Sequence, residues 1–142
     1  MTEVISTTAF AGKTVLLIDD DDFIVDVVRQ SVGPVVSALE VAKDGVDALE
    51  ILKKKEFDIL LLDLKMPRMN GVTLINHLRD LKPHLLDRTI VITGNAETKT
   101  VRAFISDNGC MYLPKPFNVR ELYGAMTALV QGGAMKSVLT AR

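Results

Sequence analysis

Short apolar runs alternate along this chain with stretches in which apolar residues recur every three or four positions, and the alternation repeats five times. Val-Leu-Leu-Ile at 15–18 has the length and residue types of a strand buried on both faces, so a first strand is predicted over 14–19. Phe23, Ile24, Val27 and Val28 then share a helical face over 23–32, which Gly33-Pro34 terminates. A partly alternating strand is expected over 35–42. Asp44-Gly45 turns into a helix over about 46–54, with Val46, Leu49, Ile51 and Leu52 inward and lysines 53–55 at its negative end. An apolar third strand is predicted over 57–62, ending at Asp63 after the most hydrophobic stretch of the chain, 59–62. A turn at 66–71 leads to a helix over 73–81, and a fourth strand follows at 88–93. A helix over 98–106 closes at Asn108-Gly109, a short fifth strand covers 111–113, and Asn118 caps a last helix running to 130.

Helices inserted between strands imply parallel pairing through right-handed crossovers, with the helices divided between the two faces of one sheet. The fold class is therefore α/β, a doubly wound α/β/α sandwich. In such a sheet ligands bind at the C-terminal strand ends, where the strand order switches direction. The polar residues at those ends are Asp19 and Asp20, Asp63, Thr93, and Lys115 just past the fifth strand.

Composition narrows the function. With 142 residues and 48% hydrophobic content, the chain is one domain able to fill a core. A net charge of −1 argues against a dedicated nucleic-acid binder. The single cysteine, Cys110, rules out an intramolecular disulfide framework, suits a reducing cytoplasm and reads as a small buried residue. No segment approaches the ~18 apolar residues of a membrane span, and residues 1–11 lack the pattern of a secretory signal. Gly12-Lys13-Thr14 does not make a phosphate-binding loop, because the glycine required five residues earlier is Thr7 and a strand follows. His77 and His84 lack zinc-ligand spacing and are expected at the surface; Met66, Met69 and Met111 are expected to pack.

Four aspartates, 19–22, follow the first strand directly. Stacked carboxylates repel unless a cation sits among them, and a hard cation such as Mg²⁺ takes carboxylates and waters as ligands. A solvated acidic loop capping the next helix is the alternative reading. Asp63, alone at the end of its strand, is either an ion-pair partner or a nucleophile that forms an acyl phosphate. Such transfer needs charge compensation on three phosphoryl oxygens more than acid–base work. Mg²⁺ held by Asp20, Asp63 and the backbone carbonyl of Lys65, with Asp19 acting through a water, would cover one oxygen. Lys115 can cover a second as a point charge, and the Thr93 hydroxyl with the Gly94 N–H can donate to the third. Gly94 leaves room beside the strand end.

Taken together, Ile18-Asp19-Asp20-Asp21, Lys43-Asp44-Gly45-Val46-Asp47-Ala48-Leu49, Asp63 with Lys65-Met66-Pro67-Arg68-Met69-Asn70-Gly71, Ile92-Thr93-Gly94 and Tyr112-Leu113-Pro114-Lys115-Pro116-Phe117 resemble the receiver domain of two-component response regulators over about residues 13–130. The resemblance implies a five-stranded sheet of flavodoxin-like order 2-1-3-4-5. It also implies Asp63 as phosphoacceptor, Asp19 and Asp20 as metal-binding acids, Thr93 and Lys115 as the phosphate-sensing pair, and Tyr112 as an aromatic switch. A cis Lys115–Pro116 bond is expected. The implied partners are a sensor histidine kinase or histidine phosphotransfer protein, and a downstream protein at the face of the fourth helix, fifth strand and fifth helix. Homodimerisation stays open, and neither direct nucleic-acid binding nor membrane insertion is expected. Lys65 and Asn95 are expected to flank the route of attacking water, and Asp22 to cap the first helix.

Residues 1–12 are expected to form a flexible arm, 13–131 the domain and 132–142 a short tail. The leading reading is a stand-alone phosphorylatable domain. Its rivals are a module of a larger hybrid kinase or regulator, and a related fold that is never phosphorylated. An aspartyl-phosphate phosphatase would need a second aspartate at position 65, where this chain has lysine.

Overall fold

The computed structural model describes residues 6–94 and 98–132. Five strands, β1 (Thr14–Ile18), β2 (Ala38–Ala42), β3 (Ile59–Leu62), β4 (Thr89–Thr93) and β5 (Met111–Pro114), form one parallel sheet. Their order is β2-β1-β3-β4-β5, as the resemblance implied. Helices α1 (Asp22–Ser31), α2 (Gly45–Lys54), α3 (Gly71–Leu81), α4 (Lys99–Asp107) and α5 (Val119–Gln131) follow the strands in turn. Successive side chains of a strand point to opposite faces, and both faces here are covered. Val15, Leu17, Leu61 and Ile90 pack with Val28 of α1 and Met126 of α5. Leu16, Ile18, Leu60 and Leu62 pack with Leu52 of α2 and Leu74 of α3 on the other side. Burial on both faces is why β3 reads as an unbroken apolar run.

The boundaries shift where local chemistry outweighs hydrophobicity. β2 begins at Ala38 and not at 35, because Gly33-Pro34 enters a 3-10 turn that carries Val35 with it. β3 begins at Ile59: Asp58 is instead an anchor, its carboxylate accepting the Thr14 N–H at 2.9 Å. α3 starts at Gly71 because Asn70 caps it, accepting the Thr73 N–H at 3.0 Å. The 3-10 helix Pro83–Arg88 had no periodic signal. Asp21, not Asp22, caps α1. Its carboxylate accepts the Phe23 N–H at 2.9 Å, whereas Asp22 is already helical and pairs with Lys43 at 2.6 Å. Among the described residues, no helix is long and apolar enough to cross a membrane.

The segment ahead of β1 departs from a free arm. Thr8–Phe10 forms a 3-10 turn, and Phe10 is fully buried with its ring centroid 5.4 Å from that of Tyr123 on α5. The Tyr123 hydroxyl donates to the Ser31 carbonyl at the end of α1. Packing thus begins before residue 13, because one large aromatic fills the core beside α5; residues 1–5 and 133–142, parts of the expected arm and tail, lie outside the described residues. Replacing Phe10 by Ala is expected to cost ~3–5 kcal/mol, the usual result of emptying a buried aromatic site. Urea denaturation checks this, and a loss under ~1 kcal/mol would mean the turn is only loosely applied.

Candidate functional site

From β1 the chain crosses to β2 on one side of the sheet and then returns to β3 on the other, so the strand order reverses between β1 and β3. Ile18 lies in register with Leu62, which brings Asp19 and Asp63 out side by side at the strand ends. The backbone fixes both: Asp63 N–H donates to the Ile18 carbonyl at 2.9 Å and Asp19 N–H to the Ala42 carbonyl at 3.0 Å. On the far side Thr93 ends β4 in register with Pro114, and the next residue, Lys115, donates its N–H to the Thr93 carbonyl at 3.4 Å. The Lys115–Pro116 bond is cis. Three crossovers therefore converge on one pocket.

Within it Lys115 Nζ stands 3.3 Å from Asp63 Oδ2 and 3.5 Å from Asp19 Oδ2. Asp19 is buried, and its Oδ1 accepts the Asp21 N–H at 2.9 Å. Its Oδ2 is buried with no hydrogen bond among the described residues. Burial, and then the Asp63 charge, push the Asp19 carboxyl up to about 6 against the Asp21 N–H and Lys115. Burial by itself would lower the Lys115 ammonium, but Asp19 and then Asp63 raise it. One lysine thus serves two acids, and the buried Asp19 Oδ2 has only that 3.5 Å ion pair and no hydrogen bond. Asp20 is exposed beside them, and Asp19, Asp20 and Asp63 can each place a carboxylate oxygen within 4.8 Å of the others. This donor set, all oxygen and short of positive charge, fits a hard divalent cation.

The loop after Asp63 was legible as a turn, but its attachments were not. Lys65 is exposed, and its N–H donates to Asp63 Oδ1 at 3.2 Å. Gly71 N–H returns to the Leu64 carbonyl at 2.9 Å, and a Cβ on Gly71 would stand 2.8 Å from the Asp63 carbonyl oxygen. Gly45 N–H donates to the Met69 carbonyl at 3.0 Å, where a Cβ on Gly45 would come within 2.5 Å of that oxygen. Arg68 reaches Asp44 and Asp47 across the same gap. These glycines, inside motifs 45–49 and 65–71, are where two loops touch; no spacing rule joins residues 24 positions apart.

Thr93 is buried at the end of β4, and Gly94 beside it is exposed. A Cβ on Gly94 would meet only Lys115 Cβ, at 3.9 Å, so the room beside that strand end is open. Tyr112 is half-buried on β5, packed with Val101 and Phe104 of α4 against the core. A groove of about 360 Å³ runs along β5 and α5 between Tyr112, Pro114, Arg120 and Gly124. Asn95 lies outside the described residues. His77 and His84 are exposed, Cys110 and Met111 are buried, and Met66 and Met69 pack partly against the core.

Comparison with known proteins identifies the family and the fold. The family model of the response regulator receiver domain matches residues 15–127. Response regulator MprA of Mycobacterium ulcerans is 33% identical over 117 residues, 82% of this chain and 50% of that protein. The chain therefore spans about half the length of the curated relatives it matches. Among solved structures, the CheY-like receiver domain protein of Methanospirillum hungatei superposes with a TM-score of 0.76 at 27% identity, covering 85% of this chain and 95% of that one. Chemotaxis response regulator CheY4 of Vibrio cholerae does so at 0.72 and 25% identity, covering 84% and 99%.

The raised Asp19 carboxyl has a stability consequence. Its folded value, about 6, lies above the unfolded value near 3.8, so its contribution is fully present below 3.8 and is lost as pH rises through 6. Two pKa units correspond to up to ~3 kcal/mol. Asp19→Asn, which keeps an acceptor for the Asp21 N–H, should therefore stabilise the protein at pH 7.5 in chelator. The margin should shrink toward pH 4. Denaturation midpoints across that range are the measurement; equal stability at pH 7.5 would contradict the assignment.

Proposed function

This chain belongs to the response regulator receiver domain family, and we propose that within it Asp63 accepts a phosphoryl group from a phosphohistidine of a sensor kinase or phosphotransfer protein. The observation that carries the reading is the Asp63 carboxylate, held at the sheet's switch point 3.3 Å from Lys115 and beside a buried Asp19 oxygen with no hydrogen bond. An Asp63 oxygen attacks phosphorus, forming an O–P bond, while the N–P bond breaks and its electron pair stays on the imidazole, which takes up a proton. Asp19, Asp20, Asp63 and the Lys65 carbonyl would hold Mg²⁺, which when bound supplies neutralising charge to the transferred phosphoryl oxygens. The orphaned Asp19 oxygen supports that assignment.

The chain's own residues do the positioning. Lys65 N–H, on Asp63 Oδ1, fixes the carboxylate's rotation and leaves Oδ2 toward Lys115. Lys115, its ammonium raised by the two acids, stays charged throughout the physiological range and pairs with a phosphoryl oxygen. The Thr93 hydroxyl and Gly94 N–H donate to another. Phosphorylation adds roughly two negative charges and three acceptor oxygens at this spot. Thr93 moves toward them, and Tyr112 rotates into the space it leaves. The α4–β5–α5 face then changes shape for a downstream protein, and the groove bordered by Tyr112 is the part of that face with room for a side chain. A differential affinity of a few kcal/mol is enough to reverse such a two-state equilibrium.

Asp63→Asn is expected to abolish labelling by acetyl phosphate in Mg²⁺, read by intact-protein mass; stoichiometric labelling of the variant would end the proposal. Lys65, exposed beside the acyl phosphate, is proposed to slow its hydrolysis by screening attacking water. Lys65→Ala should therefore lose the label about two- to fivefold faster, and an unchanged decay rate would refute this role.

A further inference from the structure

Arg68 is the only non-glycine among the described residues with positive φ, at 62°. That region suits glycine or asparagine, and a long side chain sits there at a conformational disadvantage. What holds it is two-point binding. Its Nε donates to Asp44 Oδ2 at 2.6 Å, and its Nη2 to Asp47 Oδ1 at 2.9 Å. Asp47 is exposed, and such pairs alone are weak. Asp44 is different. It is 5% exposed, it caps α2 by accepting the Asp47 N–H at 2.9 Å, and the Arg68 hydrogen bond holds its carboxyl below the usual carboxylate range. Removing Arg68 would strand that buried charge.

The pair also joins two loops that flank the pocket. One is the β2–α2 turn; the other is the segment from Asp63 to Gly71. A backbone bond, Gly45 N–H to the Met69 carbonyl, lies beside it. From the clamp the path to the pocket is three residues long: Arg68 fixes the turn, the turn fixes Lys65, and the Lys65 N–H sets the rotation of the Asp63 carboxylate. We infer that Arg68 is a positioning residue for the pocket: by bridging Asp44 and Asp47 it holds the Lys65 backbone where the cation and the Asp63 carboxylate need it. The inference rests on the proposed phosphoacceptor and Mg²⁺ roles and adds a residue to them that touches neither phosphoryl group nor ion.

Arg68→Gly is the informative variant, because glycine accepts the 62° φ while the clamp is lost. Asp47→Ala, which removes one arm and leaves the backbone N–H that Asp44 caps, is a second. With the full chain, Mg²⁺ affinity is measured by calorimetry, and the rate of labelling by acetyl phosphate as a function of Mg²⁺. Arg68→Gly is expected to raise the Mg²⁺ Kd about tenfold and Asp47→Ala about threefold. Labelling at saturating Mg²⁺ should return to within about twofold of wild type, since the reacting groups are intact. A general loss of folded protein would instead lower the labelled fraction at every Mg²⁺ concentration. An Arg68→Gly protein with an unchanged Kd, beside a wild type that binds Mg²⁺ and is labelled at Asp63, would overturn the clamp alone. A wild type that does neither would take down the functional reading and this inference with it.

Discussion

Two carboxylates forced side by side are the constraint on which this molecule turns. Register places Asp19 and Asp63 at adjacent strand ends, backbone bonds to Ala42 and Ile18 prevent them from separating, and among the described residues Lys115 is the one cation paired with both. Desolvation of like charges is unfavourable, and the cost shows in the raised Asp19 carboxyl and its orphaned oxygen. A fold that only had to be stable would not retain this. The same imbalance makes the pocket attractive to a divalent cation, so instability and binding are two sides of one charge deficit.

The scaffold can tolerate the deficit because the rest of the sheet is so uniformly apolar. β1, β3 and β4 are buried nearly throughout, and each helical layer closes over alternate residues of the same strands. Rigid strands define where the carboxylates emerge, and loops carry the adjustable parts. Those loops are not slack. Gly45 and Gly71 let backbones approach where a Cβ would collide, and Arg68 ties the two loops that glycine brings together. Even the segment ahead of β1 joins in, since Phe10 packs on α5, the helix that borders the β5 groove.

Most of the architecture was legible because period and punctuation agree along the chain. Where they conflicted, side-chain hydrogen bonding decided: Asp58 ends a loop that hydrophobicity assigned to β3, and Asn70 starts α3 two residues before its apolar face. Asp21 caps α1 because its carboxylate can fold back onto the N–H two residues on, a reach that Asp22, already helical, lacks. Phe10 carried no periodic signal, being one aromatic in a short polar stretch, so its burial was invisible without α5 beside it.

By itself the sequence determined the element types, the parallel alternation and the residue types at the strand ends, since these follow from local periodicity and from the rule that polar groups terminate buried strands. It also named the acids and the lysine that the fold brings together at the strand ends. The tertiary structure alone decided that the buried Asp19 Oδ2 has no hydrogen bond, that one lysine serves two carboxylates, and that Arg68 reaches Asp44 across 24 positions of chain. The reason is physical: periodicity is a property of neighbours along the chain, whereas charge balance and loop docking depend on distances through space that no local pattern encodes.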